Sequence, residues 1–454
     1  MEKMIKALIW LYVVLLIFEG ALRKWVLPSL SDPILIIRDP VAMAIYLLAF
    51  ASGRFPLNGF VLATFALAAA SAVASLIGGQ TNLLVLAYGL RINYFHLPLM
   101  WVMANVLTRK DVEKLGSLLL LIAIPMTALM VFQFKSPMNA WINRGIGSEE
   151  GGQIFGAMGR IRPPGFFSFI TGPQVFFPLV AAFFLNQASS GRRRLWWPFL
   201  IAAGLSVLIA LPVSISRTVM LATGIVGGVF VLSMGRAGVS LGTHFKTLFT
   251  LGIVAAVVSF LPIFGEGREV FMSRWETAAS GSDGDAWGSI TSRVLSGFTQ
   301  PLKSAAHAPF FGRGIGVGSN VGARLLSGKV GFLLAEDDWS KVFQELGPVL
   351  GAAFILFRIF IVLYMLWRSL QALYSRRDNL PILIWSACAF PIALSQWAPP
   401  TILGFVVIGG GLLLAALNTD EEDAGNDEEL NGPTEDNPAL AYEPYPEAPA
   451  RVRY

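Results

Sequence analysis

Gly265-Glu266-Gly267-Arg268-Glu269 opens the longest polar interruption in an otherwise apolar chain, and Gln344-Glu345-Leu346-Gly347 closes it. Between them lie Arg274, Arg293 and the run His307-Ala308-Pro309-Phe310-Phe311-Gly312-Arg313-Gly314-Ile315-Gly316-Val317-Gly318, followed by Ala335-Glu336-Asp337-Asp338-Trp339. A loop of this length inside a compact protein is functional or disordered. Its aromatic residues, prolines and glycine-rich turn point to an ordered, functional one. Apolar runs of membrane-span length flank it on both sides, and that contrast decides the fold class.

Composition agrees. The chain has 454 residues, 55% hydrophobic and 14% charged, with a mean hydropathy of +0.63. Soluble domains carry about 25% charged residues, so the sequence reads as an all-α polytopic membrane protein. An acidic tail dilutes the net charge of +5, and the basic residues sit in membrane-flanking loops. No basic stripe of the kind that binds nucleic acid is visible. The single Cys388 excludes an intrachain disulfide and a cysteine-based metal site. Lys3 and Lys6 precede an apolar run from Ala7 to Phe18, a pattern that imitates a signal peptide. Arg23-Lys24-Trp25 follows without a clear small-residue cleavage site, so the run reads as an uncleaved first span.

A span needs roughly 20 mostly apolar residues. Twelve candidates fit, near 4–20, 33–51, 60–78, 84–106, 115–133, 172–187, 195–212, 216–234, 246–264, 346–367, 379–396 and 400–417. With the N-terminus in the cytoplasm, the cytoplasmic connections carry Arg54, Arg109, Lys110, Lys114, Arg192-Arg193-Arg194, Arg236, Lys246, Arg368, Arg376 and Arg377. The short opposite connections, 79–83 and 397–399, carry no Lys or Arg. The positive-inside rule is thereby satisfied. It places both long loops, 134–171 and 265–345, outside, the latter between helices 9 and 10 and containing short helices. Residues 1–417 form the helical domain. The stretch 418–454, rich in Asp, Glu, Asn and Pro, reads as a disordered acidic cytoplasmic tail.

Ionisable residues inside spans are costly and mark interior sites. Arg38-Asp39 lies in the second span, and Arg91, Asn93 and His96 lie in the fourth. Arg38 and Arg91 come at similar depth, which suggests a polar cavity open to the exterior; a self-neutralising Arg38–Asp39 pair is the structural alternative. His96 stands five residues past Arg91, so in an α-helix the two share a face only loosely. The first long loop carries Arg160 and Arg162 before Thr171-Gly172-Pro173, a helix start whose free N–H groups favour an anion. Both arginines also suit solvated loop positions. Arg217, after Ser216, heads a span without an acidic neighbour. It is either a ligand or a side chain reaching lipid headgroups.

Arginine suits phosphate oxygens by charge and planar geometry. The glycines at 312, 314, 316 and 318 let the backbone turn tightly and approach a ligand or another helix. The pattern follows no strand and lacks the Lys-Ser/Thr of a nucleotide loop, so a plain tight turn fits it locally.

In order, Ser216-Arg217, Arg293, Pro309-Phe310-Phe311-Gly312-Arg313-Gly314-Ile315-Gly316 and Glu345-Leu346-Gly347 resemble the motifs of O-antigen ligase and O-antigen polymerase-like membrane proteins. The resemblance covers the second half in motifs and the whole chain in layout. It implies a glycosyltransferase of the bacterial inner membrane. Such an enzyme moves a glycan from an undecaprenyl-pyrophosphate carrier to an acceptor sugar on the outer face, without cofactor or metal. Its partners are the lipid-linked oligosaccharide, the acceptor glycan, membrane lipid and other polysaccharide assembly proteins. Exopolysaccharide or O-antigen polymerase is the leading form; an O-antigen ligase or a protein O-glycosyltransferase shares the scaffold. Arg217 and Arg293 are then expected to hold pyrophosphate, with Arg160, Arg162, Arg313, Arg38, Arg91 and His307 as further binding candidates. Relatives carry a histidine where this chain has Glu336-Asp337-Asp338, so one of these carboxylates is the expected general base. The same run also suits a helix N-cap with an acidic first turn. A multi-span transporter or flippase of lipid-linked glycans is the competing class. A non-catalytic scaffold in a secretion complex is a third.

Overall fold

In a computed structural model, residues 1–146, 155–157, 159–189, 194–236, 299–328 and 333–418 are described, with a few isolated positions between them. The expected ninth span (246–264), Arg293 and the tail beyond Asn418 lie outside these residues. The described chain is helical apart from a hairpin of β1 (Phe155–Ala157) and β2 (Arg160–Ile161). The principal helices are α1 (Glu2–Ala21), α2 (Arg38–Ala51), α3 (Gly59–Ile77), α4 (Leu83–Leu90), α5 (Leu99–Val106), α6 (Arg109–Lys135) and α7 (Thr171–Ser189). They continue with α8 (Trp197–Val213), α9 (Arg217–Ser233), α10 (Asn320–Ser327), α11 (Asp338–Arg376), α12 (Leu380–Leu394) and α13 (Pro400–Ala416).

Among the described residues, six helical segments are long and apolar enough to cross a membrane, and four shorter apolar helices accompany them. This makes the chain a multi-pass helical membrane protein; a count of twelve is not established by the described residues. Local chemistry sets the boundaries. Asn58 and Asn82 accept N–H groups at the starts of α3 and α4, and Thr108 with Asp111 forms a reciprocal capping box on α6. Proline stands in the first turn of α8, α12 and α13, where its missing N–H costs no helical bond.

α13 is the axis of the bundle. Every residue from Ile402 to Ala416 is buried, and it packs against α5, α12 and α7. α3 lies at the rim, with Leu62, Phe65, Val73 and Leu76 exposed. At one end of the bundle Lys6 pairs with Asp111 at 2.7 Å, Arg54 with Glu2 at 2.6 Å and Arg109 with Asp378 at 2.6 Å. Arg376 donates to the Leu417 carbonyl there at 2.7 Å. The start of α1 and the end of α13 therefore share one end. That end gathers Arg54, Arg109, Arg368 and Arg376, the connections expected on one side.

Three elements differ from the sequence reading. The expected fourth span is not one helix: α4 passes into a π-helical turn, Arg91–Phe95, and then bends before α5. A second π-turn, Leu22–Val26, extends α1 into what reads as a loop from the sequence. α11 is also two arms. Gly347 has φ 81° and ψ 173°, which no helix tolerates, and residues 338–346 fold back beside the start of residues 348–376. The sequence reading placed Gly347 inside the tenth span; the reversal puts it at a turn instead.

Candidate functional site

The first cluster grows from the two π-turns. π-Turns add a residue to a helix and re-aim its side chains, frequently at functional sites. Here the turn at Arg91–Phe95 brings Arg91 and His96 onto one carboxylate, although five residues separate them. Arg91 Nη2 donates to Asp39 Oδ1 at 2.9 Å, Arg91 Nε pairs with Asp39 Oδ2, and His96 Nε2 lies 3.1 Å from Asp39 Oδ1. Asp39 and Arg38 are therefore not a self-neutralising pair. Arg38 Nε donates to Glu19 Oε2 at 3.1 Å, Nη1 to the Tyr12 hydroxyl at 3.1 Å and Nη2 to the Pro400 carbonyl at 2.6 Å. A side chain at Gly404 would overlap the Arg38 guanidinium and Leu16, so only glycine lets α13 approach this closely.

These contacts fix proton positions. Arginine only donates, so the Tyr12 oxygen accepts from Arg38 and its O–H donates to His96 Nδ1, 3.2 Å away. A neutral His96 then carries its proton on Nε2 and donates it as a hydrogen bond to Asp39 Oδ1. The chain Glu19–Arg38–Tyr12–His96–Asp39–Arg91 is continuous and buried for most of its length. Arg23 adds a 3.6 Å contact to Glu19. Arg91 Nη1 is buried and has no hydrogen-bond partner among the described residues. Lys24, fully buried on the other π-turn, donates to the Gly165 carbonyl at 2.8 Å.

The second cluster lies under the glycine-rich turn. Gly312, Gly314 and Gly316 all have positive φ, and the turn docks onto helix backbone. The Gly314 N–H donates to the Glu345 carbonyl at 3.0 Å and the Arg313 N–H to the Gln344 carbonyl at 2.8 Å. The Gly318 N–H donates to Glu345 Oε1 at 2.7 Å and the Ile315 N–H to Ser75 Oγ at 2.9 Å. A Cβ at Gly316 would overlap the Val85 carbonyl. The close approach that these glycines permit is thus to α3, α4 and α11. Below Glu345, Lys341 is fully buried, its Nζ 3.6 Å from Asp338 Oδ1. Asp338 is paired with Arg358, which also donates to the Ile392 and Ser395 carbonyls at 2.8 Å.

The expected site residues divide accordingly. Asp337 caps α11 by accepting the Ser340 N–H at 2.8 Å, and Asp338 is committed to Arg358, so both fill the capping and structural alternative. Glu336 is exposed, and its carbonyl accepts Gln396 Nε2. Arg160 donates to the Phe134 and Lys135 carbonyls, closing the C-terminus of α6. Arg162 is half-buried, and its Nε has no hydrogen-bond partner among the described residues. Arg313 is exposed on the glycine turn. His307 is exposed too, its Nδ1 2.8 Å from the Lys303 carbonyl. Arg217 is half-buried at the N-terminus of α9; Ser216 caps that helix and accepts Gln174 Nε2 at 3.3 Å. Just before it, the buried Ile215 has φ 48°, a strained conformation for a β-branched residue that the surrounding packing holds in place.

Glu19, Tyr12, Lys24, Lys341 and Arg358 belong to these clusters, and the sequence reading did not select them. Arg358 was findable as a charge inside Ile355-Leu356-Phe357-Arg358-Ile359-Phe360, and Glu19 with Arg23 as an i, i+4 pair. Nothing local marks Tyr12. The chain matches no family model and no curated protein.

Proposed function

We propose that the chain is a membrane glycosyltransferase. In this reading it passes glycan repeat units from an undecaprenyl-pyrophosphate carrier to an acceptor sugar on the outer face of the bacterial inner membrane. Both termini are cytoplasmic. The observation that carries the reading is where the cations lie. Lys24, Arg91, Arg162, Arg217 and Arg313 belong to the bundle end opposite Lys6, Arg54 and Arg109. Arg91 and Arg162 there keep buried N–H groups without partners among the described residues. Departure of a carrier pyrophosphate needs fixed positive charge where leaving-group charge develops. The start of α9, capped by Ser216, presents the positive end of a helix dipole beside such a charge.

The reading needs no cofactor or metal, because the donor is already activated. Arg217 and Arg293 are assigned to the pyrophosphate. Among the described residues Glu336 is the carboxylate of the acidic run that makes no ion pair or cap, and it is assigned as general base. Purified full-length protein supplied with a lipid-linked repeat unit should form a ladder of elongated products, and Arg217→Ala should abolish it. Transfer of a single completed chain to a lipid acceptor instead would make the enzyme a ligase. A second reading, an ion-coupled carrier of lipid-linked glycans, is favoured by the buried Tyr12–His96–Asp39 hydrogen-bond chain. Donor translocation in proteoliposomes without product formation would select it.

A further inference from the structure

The last two turns of α11 carry Arg368, Gln371, Ser375 and Arg376 at the spacing of one helix face. With Tyr374 and Leu417 they line a cavity of about 330 Å³ at the bundle end that holds Lys6, Arg54 and Arg109. Gln371, Tyr374, Ser375 and Arg376 are exposed, so the cavity opens to water. The Arg236 guanidinium, just past α9, lies 4.9 Å from the centre of the Tyr374 ring. Neighbouring cations are neutralised: Lys6 by Asp111, Arg54 by Glu2 and Arg109 by Asp378. Among the described residues Arg236, Arg376 and Arg377 have no carboxylate partner. Arginine keeps its charge at any working pH, so positive charge surrounds an open cavity here.

The chain itself carries the complement. Leu417 belongs to the cavity wall, and its carbonyl accepts Arg376 Nη1 at 2.7 Å. Asn418 Nδ2 donates to the Ala104 carbonyl at 2.6 Å, which pins the next residue as well. The sequence continues Thr419-Asp420-Glu421-Glu422-Asp423 and has no Lys or Arg before Arg451. This first acidic run begins and ends about 10–20 Å of extended chain beyond Leu417. Arg368 and Arg376 are about 12 Å apart along the helix. The run therefore reaches both from a start that is already fixed. A short tether holds it at an effective concentration of about millimolar, which a free anion would have to match. Carboxylates also fit the paired N–H groups of guanidinium.

We propose that Asp420-Glu421-Glu422-Asp423 docks in this arginine cavity, so that the chain's own acidic segment closes it. The contact lies at the end of the bundle opposite Arg217 and the glycine turn, and it holds whichever of the readings above is correct.

The test uses full-length protein in phosphatidylcholine nanodiscs with cysteines at Ser375 and Ala424; the native Cys388 is buried. A short bis-maleimide links the two, and the linked peptide is quantified by mass spectrometry. Linkage should be efficient at low ionic strength and fall about fivefold in about 1 M salt, where the screening length is only about 3 Å. Changing Asp420→Asn, Glu421→Gln, Glu422→Gln and Asp423→Asn together keeps the tether and every described residue. It should lower linkage about fivefold, the effect of a few exposed ion pairs. Gln371→Glu, at an exposed position, should lower it by repulsion. Equal linkage with the neutralised run would mean that the tether alone brings the cysteines together, and would overturn the proposal. Linkage that is lost once phosphatidylglycerol is added to the discs would overturn it too, because lipid headgroups would then hold the cavity.

Discussion

Asp338 and Arg358 are twenty residues apart in one helical element, yet their side chains form a buried ion pair. In a straight helix they would be about 30 Å apart. Contact is possible because the chain reverses at Gly347, and the pair ties the short arm to the long one.

Removing one charge should therefore expose the other. Asp338→Asn leaves Arg358 buried without its carboxylate, and breaking a buried pair costs about 3–5 kcal/mol. Thermal unfolding in detergent should show a loss of that size, and Asp338→Leu combined with Arg358→Met should recover only part of it, because Lys341 and the Ile392 and Ser395 carbonyls lose their partners too. An Asp338→Asn protein of normal stability but no glycan transfer would instead make Asp338 a chemical group.

Gly347→Ala should loosen the glycine turn. The residue has φ 81°, and an added Cβ would overlap the Phe310 carbonyl oxygen. A backbone at φ 81° and ψ 173° is open almost only to glycine and costs another residue about 1–3 kcal/mol. A cysteine at Asn320 should be alkylated faster in this background than in the parent. An unchanged rate would mean that the turn is held without the reversal.

Arg38 and Arg91 should respond differently to substitution. Arg38 spends all three nitrogens on Glu19, Tyr12 and Pro400. Hydrogen bonds to charged groups are worth about 1.5–3 kcal/mol each, so Arg38→Lys should lower stability by several kcal/mol. Arg91→Lys keeps a charge for Asp39 but removes Nη1, which has no partner among the described residues, together with one of two contacts to Asp39 and the bond to the Leu35 carbonyl. Its stability loss should be smaller than that of Arg38→Lys, because Arg91 is less buried, and donor affinity should fall as well, read as a raised KM. Equal stability losses in both variants would make Arg91 structural too.

Orientation is testable with single cysteines. Cysteine at Asn320, beside the glycine turn, should label from outside intact cells. Cysteine at Ser375, near Arg376 and the end of α13, should label only after permeabilisation. The reverse pattern would move the cationic end to the cytoplasm and remove its link to outer-face chemistry.

The helical membrane class was readable because apolar runs and basic connections follow from simple transfer energetics, and Arg54, Arg109 and Arg376 do gather at one end. The partners of the buried charges were not. Arg38 finds Pro400 from 362 positions away, a relation set by helix packing that no local pattern encodes. The π-turn at Arg91 changes which side chains share a face, so a spacing of five proved a pairing where α-helical periodicity argued against one. The glycine turn was recognised as a place of close approach, but its partner, the backbone of α3, α4 and α11, depended on the unforeseen reversal at Gly347. The acidic run had two sequence readings, and Asp337 and Asp338 adopt the structural one because the short arm needs a cap and an anchor.

The burial of α13 on all sides has a consequence for biosynthesis. The helix at the centre of the bundle is translated after the other described helices, and it brings the carbonyl that completes the coordination of Arg38. At about 5–20 residues per second, roughly 20–70 s of translation separate Arg38 from Pro400. Throughout that interval the nascent bundle must keep an incompletely satisfied arginine and an open central slot within the membrane. Assembly factors that shield polar residues of unfinished membrane proteins would have their longest engagement here at α2, and ribosomes stalled before Pro400 should leave a chain that is inserted but degraded.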